Sequence, residues 1–259
     1  MLSWVRLAIF CILATAFAQT PAPDSAEQKK VWADAGDYAR HHEESLPNFI
    51  CIQTTRRFGD FTGQEKWRPI DIIVERLTYF EHKEDYKVLE VNGQPSSVSH
   101  EQLGGASSSG EFGSVMKGIF APETETQFAW QGWFTLRGRQ MHVYSYRVLK
   151  DKSDYHIVVP NQHIDLLAAY HGLVFVDARK HYVHRITLHA DGIPPSFPIQ
   201  DVSLALDYEY TRIGDADYLL PLTFELRSRE GKSALKNDVD YDGYRKFSAD
   251  SSISFGEQQ

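Results

Sequence analysis

The residues best suited to chemistry in this chain are its 11 histidines and its carboxylate pairs. In His41-His42-Glu43-Glu44 the three-residue step from His41 to Glu44 sets an imidazole and a carboxylate on one helical face, which is compatible with metal binding. The same residues equally make a solvated helix end, where histidine suits the negative end of the helix dipole. His181, His184 and His189 fall on one expected strand, and His181 and His189 share its parity. At about 3.3 Å per residue those two stand roughly 26 Å apart and cannot share an ion. Asp215/Asp217 and Asp238/Asp240 lie in or beside expected turns. A glycosidase needs two carboxylates across a cleft, and the turn from Gly214 to Asp217 offers too few oxygens to favour calcium. There is no Gly-x-Ser-x-Gly, no His-Glu-x-x-His and no phosphate-cradling glycine loop. Gly110-Glu111-Phe112-Gly113-Ser114 has the wrong spacing for a nucleophile elbow and reads as a hinge. No catalytic residue, metal or cofactor is assigned.

What remains is an apolar signal. Phe112, Phe120, Phe128, Trp130, Trp133 and Phe134 gather around one expected short helix and the strand after it. One reading is ordinary core. The other is a lid over an apolar cavity, with Phe112, Met116, Phe120, Trp130 and Trp133 meeting the ligand, because apolar pockets with few polar groups suit lipid-like molecules. The second reading implies a non-enzymatic exported protein that binds an acyl chain, a lipid or a lipoprotein. An envelope protein-interaction or sensing module with a filled core is the alternative. A hydrolase, the third reading, requires converging histidine and carboxylate groups.

The elements that must position these residues begin after an export signal. Arg6 precedes an apolar run from Leu7 to Phe17 that ends in Ala16-Phe17-Ala18, so residues 1–18 read as a cleaved signal peptide with the cut after Ala18. The run is far short of the ~20 residues of a membrane-spanning helix. Cys11 lies inside it, without the small residues of a lipoprotein site, and leaves Cys51 as the single mature cysteine, expected in a buried strand. The net charge of −8 falls to −9 once Arg6 is removed, and no Lys/Arg run suggests a nucleic acid partner. Residues 19–23 form a flexible lead. Asp24 or Ser25 caps a helix, with Gln28 placed for a capping box, and Val31, Ala35, Tyr38, Ala39, His42 and Leu46 line one face until Pro47.

Most of the rest reads as strand. Stretches 48–58, 67–80, 85–91, 126–136, 140–149, 155–159, 164–170, 172–177, 182–190, 202–211, 219–229, 235–244 and 251–255 carry apolar or alternating patterns between turn signals such as Asn92-Gly93. The break is Gly104-Gly105-Ala106-Ser107-Ser108-Ser109-Gly110, a small-residue approach to a short helix over 111–120 closed by Pro122. Ile193-Pro194-Pro195-Ser196-Phe197-Pro198 must be a loop, since three prolines exclude ladder bonding. Few helices among many strands predict an α+β fold: a curved antiparallel sheet, or half-barrel, wrapped over the N-terminal helix, with the second helix on a flexible loop. Residues 24–259 are expected to form one domain.

Tyr170-His171-Gly172-Leu173-Val174-Phe175-Val176-Asp177 with Tyr182-Val183-His184-Arg185-Ile186, and Asp207-Tyr208-Glu209-Tyr210 with Tyr218-Leu219-Leu220-Pro221-Leu222, resemble hairpins of the periplasmic lipoprotein-carrier group (LolA, LolB, RseB). That resemblance implies a half-barrel over helices and a hydrophobic cavity for acyl chains. Leu46-Pro47-Asn48-Phe49-Ile50-Cys51, Gly110-Glu111-Phe112-Gly113-Ser114-Val115 and the Ile193–Pro198 segment resemble a family of secreted acidobacterial proteins, which implies no activity. The export signal implies a periplasmic or secreted location.

Overall fold

The computed structural model describes residues 20–107, 111–159 and 162–247; the signal peptide and the strand expected over 251–255 lie outside them. The first helix, α1 (Ser25–Ser45), starts where Asp24 adopts an extended conformation and its carboxylate accepts the Glu27 N–H at 2.8 Å. Gln28 does not close a box on Ser25. Its side-chain amide donates to the Pro23 carbonyl at 2.9 Å, tying the helix to the lead. The face expected to be apolar is the one buried: Val31, Ala35, Gly36, Ala39 and His42.

Among the described residues, eleven strands form one antiparallel sheet. In chain order they are β1 (Phe49–Asp60), β2 (Arg68–Phe80), β3 (Lys83–Val91), β4 (Gln94–Pro95), β5 (Gln127–Leu136), β6 (Arg139–Val148), β9 (Ala169–Asp177), β10 (Val183–Asp191), β11 (Asp201–Ile213), β12 (Ala216–Glu230) and β13 (Ser233–Lys246). A separate hairpin, β7 (His156–Val159) with β8 (Ile164–Leu167), interrupts the meander between β6 and β9. The sheet order is β4-β3-β2-β1-β13-β12-β11-β10-β9-β6-β5. The last strand thus joins β1 to β12 and unites the two ends of the chain in one open sheet. Asn92 and Gly93, with φ of 53° and 72°, make the expected hairpin turn.

Alternation sorts the two faces. Tyr144, Tyr146, Val174, Val176, Ile186, Leu188, Leu204, Leu206, Tyr208 and Tyr241 point inward and are buried. The helix α2 (Ser114–Phe120) lies over that inner face beside α1. Gly36 permits the approach, because a Cβ there would stand 3.2 Å from the Phe120 ring. The sheet curves around this pair. β2 and β6 are seven places apart, roughly 34 Å in a flat sheet. Yet Phe112 stacks near Tyr79 of β2 (5.9 Å), and Phe120, eight residues on, meets Trp32 (4.5 Å), which meets Tyr144 of β6 (5.4 Å).

Candidate apolar site under the short helix

The expected ligand-contact residues occupy three places. Phe112, just before α2, packs among Phe49, Tyr79 and Tyr241, with ring centroids 5.4, 5.9 and 5.6 Å away. Met116 is fully buried in the middle of α2. Phe120 ends the helix against Trp32, which stacks at 4.4 Å on Phe128 of β5. Trp130 packs against the edge of the same core, and its Nε1 is buried without a hydrogen-bond partner. Trp133 lies across a register shift marked by Gly132, whose φ is 151°; its ring sits 4.2 Å from His142 and its Nε1 donates to the Pro21 carbonyl at 2.9 Å. The structure therefore brings Phe112, Met116 and Phe120 together on one buried segment. Trp130 stands at its rim, and Trp133 serves the N-terminal lead.

The segment is held mainly through its carbonyls. Arg57 forms a two-point ion pair with Asp71 at 2.7 and 2.6 Å and donates to the carbonyls of Leu103 and Gly104 at 3.2 and 2.6 Å. Asn237 donates to Ala106 (2.7 Å), Tyr208 to Glu111 (3.0 Å), Arg40 to Phe120 (3.3 Å) and Thr126 to Ile119 (2.6 Å). The helix itself starts at Ser114 rather than Glu111, because Gly113 at φ 145° is its N-cap and supplies no side-chain acceptor. A seven-residue helix has little stability of its own, so tertiary contacts hold it. Phe128 belongs to the aromatic cluster expected from the sequence, whereas Trp32, Arg57 and Asn237 were not singled out there. Trp32 neighbours Val31 on α1, a trace of the wider apolar face; Arg57 and Asn237 carry no local signal.

The polar candidates are otherwise engaged. His41 bonds the Asp37 carbonyl, and His42 is buried with Nδ1 2.9 Å from the Tyr38 hydroxyl. His181 meets Asp34 of α1 at 2.6 Å, His184 is fully buried, and His189 lies opposite His171 on the outer face. Asp217, Asp238 and Asp240 pair with Arg212, Lys236 and Arg56. Among the described residues, no three His, Cys, Asp or Glu side chains are grouped to hold a metal ion. Cys51 is buried, and burial pushes its thiol up to about 12. At the other flank of the inner face, buried Glu75 accepts from His100 at 2.8 Å and from Gln53 at 3.2 Å, and the Glu75 hydrogen bond raises the His100 pKa.

The architecture so defined is an open antiparallel half-barrel with helices on its inner face. Several solved structures are similar to this chain. They include a LolA superfamily protein from Nitrosomonas europaea (8% identity, TM-score 0.42, 85% of this chain and 93% of that one). A putative outer membrane lipoprotein-sorting protein domain from Vibrio parahaemolyticus follows (10%, 0.39, 84% and 92%), as does the lipoprotein LppX of Mycobacterium tuberculosis (7%, 0.29, 83% and 95%). No family model and no curated protein sequence matches the chain. No helix among the described residues is long and apolar enough to cross a membrane.

Proposed function

We propose that this is an exported, non-enzymatic binding protein that takes up a hydrophobic chain, such as the acyl chain of a lipid or lipoprotein, between α2 and the inner face of the sheet. The observation that carries this reading is the lid segment. Phe112 and the two-turn helix after it, which bears Met116 and Phe120, cover an aromatic surface, and side-chain bonds fasten the carbonyls of the approach, with Gly104, Gly105 and Gly113 at positive φ. These fastenings can be exchanged without breaking a sheet ladder. An acyl chain entering in place of the three side chains gains about 0.8 kcal/mol per buried CH₂, less the cost of ordering. Native mass spectrometry of mature protein purified without detergent, with organic extraction of the bound material, tests this. One stoichiometric lipid is expected, with saturable rebinding of cis-parinaric acid after delipidation. An empty protein that binds no cis-parinaric acid refutes the reading.

One observation favours the second reading, a protein-interaction module. Phe112, Met116 and Ile119 already fill the space beneath the lid, at 2%, 0% and 0% exposure. That reading expects the empty protein in the same experiment and a discrete crosslinked partner in the cell envelope.

A further inference from the structure

The outer face of the sheet carries a second site, independent of α2. We propose that it binds an extended acidic peptide in which carboxylate and apolar side chains alternate. A trough of about 750 Å³ runs across six adjacent strands, β5, β6, β9, β10, β11 and β12. Strand register builds it from two rows. Gln127, Arg147, His171, His189, Ser203 and Arg227 are successive cross-strand partners and form one bank. Ala129, Ser145, Leu173, Thr187, Ala205 and Glu225 are partners in the next row and form a floor of mostly short side chains. At ~4.8 Å per strand the rows run roughly 24 Å, the length of about seven extended residues.

The two banks differ in chemistry. On the side away from His171, Leu173 packs into an outer-face apolar cluster of Val143, Phe175, Met141 and Leu136, and Phe134, 47% exposed, has its ring 5.4 Å from Phe175. Beyond that cluster Arg185 and Asp207 neutralise each other at 2.5 and 2.6 Å. The opposite bank is cationic. Arg147 is 56% exposed, and its nearest carboxylate, Asp191, stands 3.6 Å away and already accepts His171. Arg227 clasps Glu225, the one acidic residue lining the trough. Two arginines and one glutamate thus line the trough itself, and Asp191 and Asp201 stand at its rim, 2.8 Å from His171 and 3.8 Å from His189.

An extended chain sends alternate side chains to opposite sides. Laid along this trough, it gives one set to Leu173 and the Phe175 cluster and the other to Arg147 and Arg227. A carboxylate arriving at Arg147 exchanges a long, exposed ion pair for a two-point one. The Gln127 and Ser203 side chains supply donors and acceptors for peptide groups, and the Thr187 hydroxyl, whose oxygen takes the Leu173 N–H, keeps its proton to donate. The row ends at β5, an edge strand, so a longer polypeptide runs off the sheet without obstruction.

The probe is a fluorescein-labelled octapeptide of alternating glutamate and valine, followed by anisotropy with the full mature chain. Saturable binding is expected, at least tenfold tighter than for the lysine–valine counterpart and at least tenfold weaker in 300 mM than in 50 mM NaCl. Arg147→Glu with Arg227→Glu should weaken it tenfold or more, and Ala205→Trp, which fills the floor from the outer face, should abolish it. Arg212→Glu, exposed near the end of β11, and Arg57→Ala, remote from the trough, should leave it unchanged, with circular dichroism confirming each fold. Equal affinity for the lysine peptide, indifference to Ala205→Trp, or binding of phosphatidylglycerol vesicles but not of the peptide overturns the proposal.

Discussion

At the residue scale, the buried histidines make stability depend on pH. Burial holds His42 and His142 down at about 4; for His142 the neighbouring His181 adds to this and Asp177 opposes it. His184 is lowered by burial first and by Arg139 second, against Glu209 and Asp177. An unfolded imidazole titrates near 6.5. As pH falls below about 6.5 the unfolded chain takes up protons that the native state refuses, so stability declines toward pH ~4. His100 acts with the opposite sign. Its raised pKa gives a contribution complete below about 6.5 and lost as pH rises through the folded value. Urea denaturation between pH 8 and 4 should show both limbs. His142→Phe, beside Trp133 and Tyr144, should flatten the acid limb, and His100→Gln the alkaline one; an acid limb of unchanged slope in His142→Phe would remove that residue from the account. Gly172 is a second sensitive position. A Cβ there would stand 1.8 Å from the Thr187 carbonyl oxygen, which accepts the Tyr146 hydroxyl at 2.9 Å while the Thr187 side chain takes the Leu173 N–H. Gly172→Ala should cost on the order of 3 kcal/mol or more in thermal unfolding, and a wild-type Tm would show that this crease in the sheet relaxes freely.

At the element scale, α2 depends on its fastenings. Tyr208, Thr126 and Arg40 hold the carbonyls of Glu111, Ile119 and Phe120, and Arg57 ties down the approach, serving Asp71 and the Leu103 and Gly104 carbonyls at once. Arg57→Ala should raise amide exchange over 100–107 and 111–120 by tenfold or more while exchange in β10–β12 stays unchanged, and should speed cis-parinaric acid uptake; uniform acceleration across the sheet would make Arg57 a global stabiliser instead. The two helices differ in how much of them could be read in advance. α1 carries its own cap, periodicity and terminator, so its bounds were legible. α2 was placed three residues early, because the Phe112 pattern is helical while the Gly113 backbone is not. Tertiary contact overrode local pattern: Tyr208 takes the Glu111 carbonyl and holds Phe112 out of the helix.

At the scale of the whole molecule, the hairpins that follow one another in sequence were visible as alternating strands between turn residues, and so was the antiparallel sheet over an N-terminal helix. Insertion of β13 between β1 and β12 was not visible, because no local pattern records which distant strand a given edge will meet. The same holds for the outer trough. His189 was read only with His181 and His184 of its own strand, and the pairing of β9 with β10 sets it beside His171, with Arg147 and Arg227 completing the row from β6 and β12. The sequence by itself determined the first helix and the strand-rich class, since each rests on residues within a few positions of one another. Only the tertiary structure decided where β13 joins, which side chains fasten the lid and which residues share the outer row. Those depend on register between strands far apart in the chain, and a shift of one residue would turn every side chain of a strand to the opposite face.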